Sequence, residues 1–131
     1  MSFSTRLLAE GALRKSVFLK ETGLTDFPIN AGLYMTALPA LDLVIQMFKE
    51  EVWSKEYRFR SLAFDDGVEI KWQEPEVPAK VEDHIIKIDV ADDKEMHAIM
   101  ESYCVKTMEV DKPLWQIILL DNRNEGSQSA V

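Results

Sequence analysis

His84, His97, Cys104 and the carboxylates of Asp65-Asp66, Asp92-Asp93 and Glu74…Glu76…Glu82 are the side chains whose types could do chemistry in this chain. His84 follows Asp83 at the head of an apolar run, His84–Val90 (HIIKIDV). An imidazole titrates near neutrality, so it could act as a general base. No nucleophile stands beside it in sequence, and the favoured reading is a hydrogen-bonded structural residue at a strand end. His97 follows Met96 near the acidic start of a helical pattern, where a solvated histidine is the ordinary outcome. Cys104, on the same pattern, reads as a buried, inert thiol rather than a reactive one. Asp65-Asp66 before Gly67 is turn chemistry. Asp92-Asp93 opens a helix, and Glu74…Glu82 is a solvated connection. None of these has the regular ligand spacing of a calcium loop.

The inventory excludes several site classes. One cysteine permits no intrachain disulfide and no zinc site built on cysteine pairs. There is no glycine-rich phosphate loop, no G-x-S-x-G and no H-E-x-x-H. From the residues alone, no catalytic residue and no metal ligand is assigned.

Composition narrows the partners. The chain has 131 residues, 47% of them hydrophobic and 29% charged, enough for one domain with a core. Fifteen basic against 23 acidic residues give a net charge of −8. That sign disfavours nucleic acid and gains nothing from an anionic membrane. A reducing compartment fits the single cysteine. Arg6, Glu10, Arg14, Lys15, Lys20 and Glu21 leave no apolar run long enough for a signal peptide. Pro39, Asp42 and Gln46 interrupt the most apolar stretch, 31–48, so no membrane span is expected.

The elements that would position these residues follow from periodicity. Residues 6–21 carry an imperfect amphipathic helix pattern, and Gly23, Pro28 and Asn30 mark a loop. Ala31–Leu38 reads as a buried strand that Pro39 stops. Leu41, Val44, Ile45, Phe48 and Val52 form one face of a helix over 40–54. Tyr57, Phe59, Leu62 and Phe64, then Asp66-Gly67, then Val68, Ile70 and Trp72 predict a hairpin. Residues 73–82 predict an exposed extended link. Asp92 with Glu95 has capping-box spacing. The helix it opens puts Met96, Ile99, Met100 and Tyr103 on one face and runs to about Met108. Pro113 follows a turn, Trp115–Leu120 is a strand, and residues 122–131 form a polar loop entering a further strand at Ala130 and Val131. The order β-α-β-β-β-α-β predicts one α/β domain over 1–131, a layered mixed sheet flanked by helices. At this level an enzyme fragment and a small binding module fit equally well.

One ordered set of segments goes further. Arg58-Phe59-Arg60-Ser61 precedes a hairpin ending at Trp72; Asp83-His84-Ile85 and a helix follow; then Lys112-Pro113-Leu114-Trp115 leads into Gln116–Asp121. This order resembles the amino-terminal part of the wax ester synthase / diacylglycerol acyltransferase family, within the coenzyme-A-dependent acyltransferases. The likeness covers roughly residues 18–131 by pattern. Upstream it takes in the loose Phe18-Leu19 with Glu21, Pro28-Ile29-Asn30 and the helix from Pro39 to Ser54. Met108-Glu109-Val110 departs from the family's Pro-Leu-Asp.

The resemblance implies an incomplete chloramphenicol-acetyltransferase-like half-fold. It implies transfer of a fatty acyl group from acyl-CoA, a co-substrate and not a bound cofactor, to a long-chain alcohol or diacylglycerol. The family's base lies in H-H-x-x-x-D-G, which no residue of this chain matches, so the catalytic histidines and aspartate are expected beyond Val131. His84, Pro113, Leu114 and Trp115 are implied as scaffold, with the Trp115 indole N–H on a backbone carbonyl. The chain alone is expected to be inactive, cytoplasmic or peripheral to a membrane or lipid droplet, and prone to self-association through unpaired sheet edges. A different acceptor, as in a condensation-type or chloramphenicol-acetyltransferase-like domain, and a non-catalytic binding module are the alternatives.

Overall fold

A computed structural model describes residues 30–65, 67–106, 108–109 and 111–131. The helix pattern of residues 6–21, the loop signals Gly23 and Pro28, and the family-like pieces at 18–21 and 28–29 lie outside the described residues.

The elements run β1 (Tyr34–Met35), α1 (Leu41–Phe48), a π turn (Lys49–Trp53), a 3-10 turn (Tyr57–Arg60), β2 (Leu62–Asp65), β3 (Ile70–Gln73), a second 3-10 turn (Val81–Asp83), β4 (Ile85–Val90), α2 (Asp93–Val105), β5 (Ile117–Asn122) and β6 (Ser129–Ala130). The fold is mixed α/β with a mixed sheet, as the element order predicts. One sheet has the order β1-β6-β5-β4; β2 and β3 form a separate two-stranded ladder. β4 and β5 are parallel, Ile85 beside Ile117 and Val90 beside Asn122, joined by α2. β6 runs antiparallel to both β5 and β1.

Alternation along β4 and β5 separates two faces. On one, Val90, Leu120, Met96 of α2 and Ala130 of β6 are buried together, with Ile88, Ile99, Met100 and Ile118 packed around them. On the other, Ile85 at the start of β4 and Leu119 in the middle of β5 are buried. Further along that face Lys87 pairs with Asp121 at 2.9 Å, and Arg123 pairs with Asp89 at 2.9 Å. The Lys87 ammonium holds the Asp121 carboxyl below its usual range, with Arg123 adding to it.

α1 follows its predicted stripe. Leu41, Val44, Ile45, Phe48 and Val52 are half-buried, whereas Leu43 and Met47 face out. The last turn widens to π geometry. There the Ser54 hydroxyl donates to the Glu50 carbonyl at 2.8 Å and the Ser54 amide reaches the Lys49 carbonyl at 3.1 Å.

α2 starts as its sequence dictates. The Asp92 carboxylate accepts the Glu95 amide at 2.9 Å, and the Glu95 carboxylate reaches back to the Ala91 amide at 2.6 Å. Asp92→Ala leaves the Glu95 amide to water, and a loss of about 1 kcal/mol in urea unfolding is expected. An unchanged midpoint would show that the cap contributes nothing.

Several expectations need correction. Ala31–Leu38 is not a buried strand: only Tyr34–Met35 is strand, extended by a Leu33–Val131 backbone pair, and Leu33 is 63% exposed. With Gly32 and Pro39 bounding it, the run is too short to cross the sheet. Tyr57–Arg60 coils into a 3-10 turn instead of a strand, because Ser61, fully buried, ties its hydroxyl to the Tyr57 carbonyl at 2.6 Å. The hairpin pairs Asp65 with Ile70, and Gly67 in its connection has φ +87°; Asp66 lies outside the described residues. A positive φ is the conformation glycine adopts without a Cβ penalty. Val81, at the end of the expected exposed link, is buried. α2 stops at Val105, three residues short of the expectation, because Lys106 is extended. β5 begins at Ile117, two residues after Trp115, whose amide closes a turn onto the Pro113 carbonyl at 3.0 Å. No helix among the described residues is long and apolar enough to cross a membrane.

Candidate functional site

Five aromatic rings from four separate segments meet at one end of the β4–β5 pair. α1 presents Phe48 and its π turn presents Trp53; the 3-10 turn presents Phe59; His84 precedes β4 and Trp115 precedes β5. Trp115 is the hub. Phe48 stacks on it at 4.5 Å between centroids and His84 at 4.7 Å. Phe59 and Trp53 meet it edge-on at 5.7 and 6.1 Å. Both geometries are favoured for aromatic pairs.

Two polar contacts lock the hub. The Trp115 indole N–H donates to the Phe59 carbonyl at 2.6 Å, the bond the sequence led us to expect. The Trp115 carbonyl accepts from His84 Nδ1 at 2.9 Å. A carbonyl oxygen can only accept, so Nδ1 carries the proton. The Arg60 guanidinium fixes the neighbouring turn by donating to the Trp53 carbonyl and to the Glu74 carboxylate, the latter at 2.7 Å.

Beside the hub lies an open groove of about 150 Å³ lined by Arg58, Phe59, Trp72, Leu114 and Trp115. The Arg58 guanidinium sits 5.8 Å from the Trp72 ring centroid, within cation–π range. The groove can cover a small apolar group. It carries no base–nucleophile pair.

His84 is 93% buried and its ring bonds a main-chain carbonyl, with no hydroxyl or thiol partner among the described residues. The structural reading of His84 therefore describes its surroundings. Pro113 is buried and Leu114 half-buried, and of Lys112-Pro113-Leu114-Trp115 the last two line the groove. Lys112 points outward to Glu109 at 2.8 Å, and that carboxylate raises its ammonium pKa above the usual value.

The remaining candidates do not join the site. His97 is exposed on α2 and meets only the edge of Tyr34 among the described rings, at 6.3 Å. Cys104 is exposed, which corrects the expectation of a buried thiol: it lies one turn beyond Met100, at the end of α2 next to Val105, which is also exposed. Glu74, Glu76 and Glu82 are exposed, Glu74 engaged by Arg60 and Glu82 by Lys49. Among the described residues no three His, Cys, Asp or Glu side chains gather as metal ligands.

Sequence reasoning did not single out Phe48, Trp53 or Trp72 as members of one site. Phe48 was legible only as part of a helical stripe, and Trp72 only as the end of a hairpin. No protein-family model, curated protein or solved structure matches the chain.

Proposed function

We propose that this chain is the amino-terminal scaffold of a coenzyme-A-dependent O-acyltransferase of the wax ester synthase / diacylglycerol acyltransferase kind, without acyl-transfer chemistry of its own. One observation carries the reading. The segments on which the resemblance rests, Arg58-Phe59, Trp72, His84 and Leu114-Trp115, are far apart in sequence and converge on a single hub and groove.

In this reading His84, Pro113, Leu114 and Trp115 are scaffold, and the half-fold is of the chloramphenicol-acetyltransferase-like type. Acyl-CoA and a lipid alcohol or diacylglycerol are partners of the whole enzyme. The lipid acceptor would bring that enzyme to a membrane or lipid-droplet surface. Attack on a thioester by an alcohol needs a base to take the hydroxyl proton. The two histidines of this chain, at 84 and 97, cannot supply the adjacent pair the family uses.

The chain is therefore expected to form no wax ester or triacylglycerol from radiolabelled acyl-CoA with hexadecanol or diacylglycerol. Turnover above the no-protein control would overturn the scaffold reading. The coding sequence past Val131 tests the family reading separately: H-H-x-x-x-D-G after the next strand supports it, and its absence refutes it.

A further inference from the structure

β4 is an edge strand among the described residues, with β5 on one side and no strand on the other. The carbonyls of His84 and Val90 accept from the amides of Ile117 and Arg123 on the β5 side. Even-numbered residues of β4 thus turn their backbone toward β5. The N–H and C=O groups of Ile85, Lys87 and Asp89 turn outward. Lys87 and Asp89 are exposed, and Ile86 and Ile88 are half-buried.

The geometry points to a second copy of this chain as the partner of that edge, paired antiparallel through β4 about a two-fold axis at Ile88. Charge decides the register. Hydrogen bonding across the edge requires outward-facing residues to oppose each other, so the axis must pass through a single residue. An axis at Lys87 sets two lysines face to face, and one at Asp89 sets two aspartates face to face. The axis at Ile88 places each Lys87 opposite Asp89 of the second copy, twice. Opposite charges directly across a ladder stabilise it and like charges oppose it. The same register puts Ile88 against Ile88 and Ile86 against Val90 on the apolar face. Because Lys87 already holds Asp121 and Asp89 already holds Arg123, the paired strands join two ion pairs into one line of alternating charge. A two-fold contact of this kind closes on itself and continues the sheet across both copies. The contact does not depend on the acyltransferase reading.

Sedimentation equilibrium of the chain and of Lys87→Glu, Asp89→Lys and the double variant tests it. The parent is expected to dimerise with concentration. Each single reversal is expected to weaken the dimer by about tenfold or more, and the double variant to restore it. The intrachain contacts to Asp121 and Arg123 are disturbed in the double variant as in the singles, so restoration can come only from the contact between copies. Circular dichroism checks that each variant is folded. Ile88→Cys in a Cys104→Ser background provides a second measurement. Directly opposed residues at the axis lie within disulfide reach, so mild oxidation is expected to cross-link it, and Ile86→Cys is not. A parent that stays monomeric, or reversals that leave the dissociation constant unchanged, overturns the inference.

Discussion

Trp115→Ala is expected to lower the folding free energy by about 3 kcal/mol, the low end for deleting a large aromatic side chain, because the ring is half-buried. Three losses combine. The ring stacks on Phe48 and His84 and meets Phe59 and Trp53 edge-on. Its indole N–H satisfies the Phe59 carbonyl of the 3-10 turn. The space it vacates opens toward the groove it lines, where water can enter beside the buried His84. Trp115→Phe keeps the stacking and removes only the N–H donor, so it should cost about 1 kcal/mol. Urea unfolding followed by far-ultraviolet circular dichroism separates the two. If alanine costs no more than phenylalanine, the hub is not what joins α1, the 3-10 turn and the β4–β5 pair. The size of the effect matters because domains are stable by only about 5–15 kcal/mol in total.

Met96→Ala is expected to be comparably damaging, about 2–4 kcal/mol, for a different reason. Met96 is 2% exposed and is the buried residue through which α2 reaches Val90, Leu120 and Ala130. Truncation leaves a cavity between helix and sheet that the parallel β4–β5 ladder below it cannot collapse to fill. Met96→Leu conserves volume and should cost less than about 1.5 kcal/mol. The two sites are distinguishable by near-ultraviolet circular dichroism. Trp115 replacement should reduce the aromatic signal of the folded state, whereas Met96→Ala should weaken stability and leave that signal in place. Equal stability of the alanine and leucine variants would show that α2 is not held by this contact.

The two cores differ in how far the sequence reveals them. Met96, Ile99 and Met100 repeat at helical spacing, and Ile86, Ile88 and Val90 alternate, so the partners of the α2 core are visible as patterns. The aromatic hub has no pattern. His84 lies 31 residues before Trp115, and Phe59 lies 56 before it. Lys112-Pro113-Leu114-Trp115 was recognisable as a segment, but not as the wall of a groove whose other side is Arg58 and Trp72. Cys104 shows the opposite failure. Its helical setting is legible and it continues the Met100 side by one turn, yet its exposure depends on how much of the last turn of α2 other elements cover, which spacing does not specify.

Structure with local causes is legible in the residues alone. Stripe spacing placed α1, Asp92 with Glu95 started α2, alternation placed β3, an apolar run placed β4, and Asp66-Gly67 located the hairpin. The sequence also determined that no adjacent histidine pair, phosphate loop or cysteine-based metal site exists within these residues. It took the packed chain to settle that Ala31–Leu38 contributes only the two-residue edge strand Tyr34–Met35, that Tyr57–Arg60 coils, that β4 and β5 run parallel, and that one tryptophan gathers four other rings. The physical reason is range. Dihedral preference, capping and amphipathic period act within a few residues, whereas strand partners, burial and ring contacts are settled by competition between segments tens of residues apart for the same apolar surface.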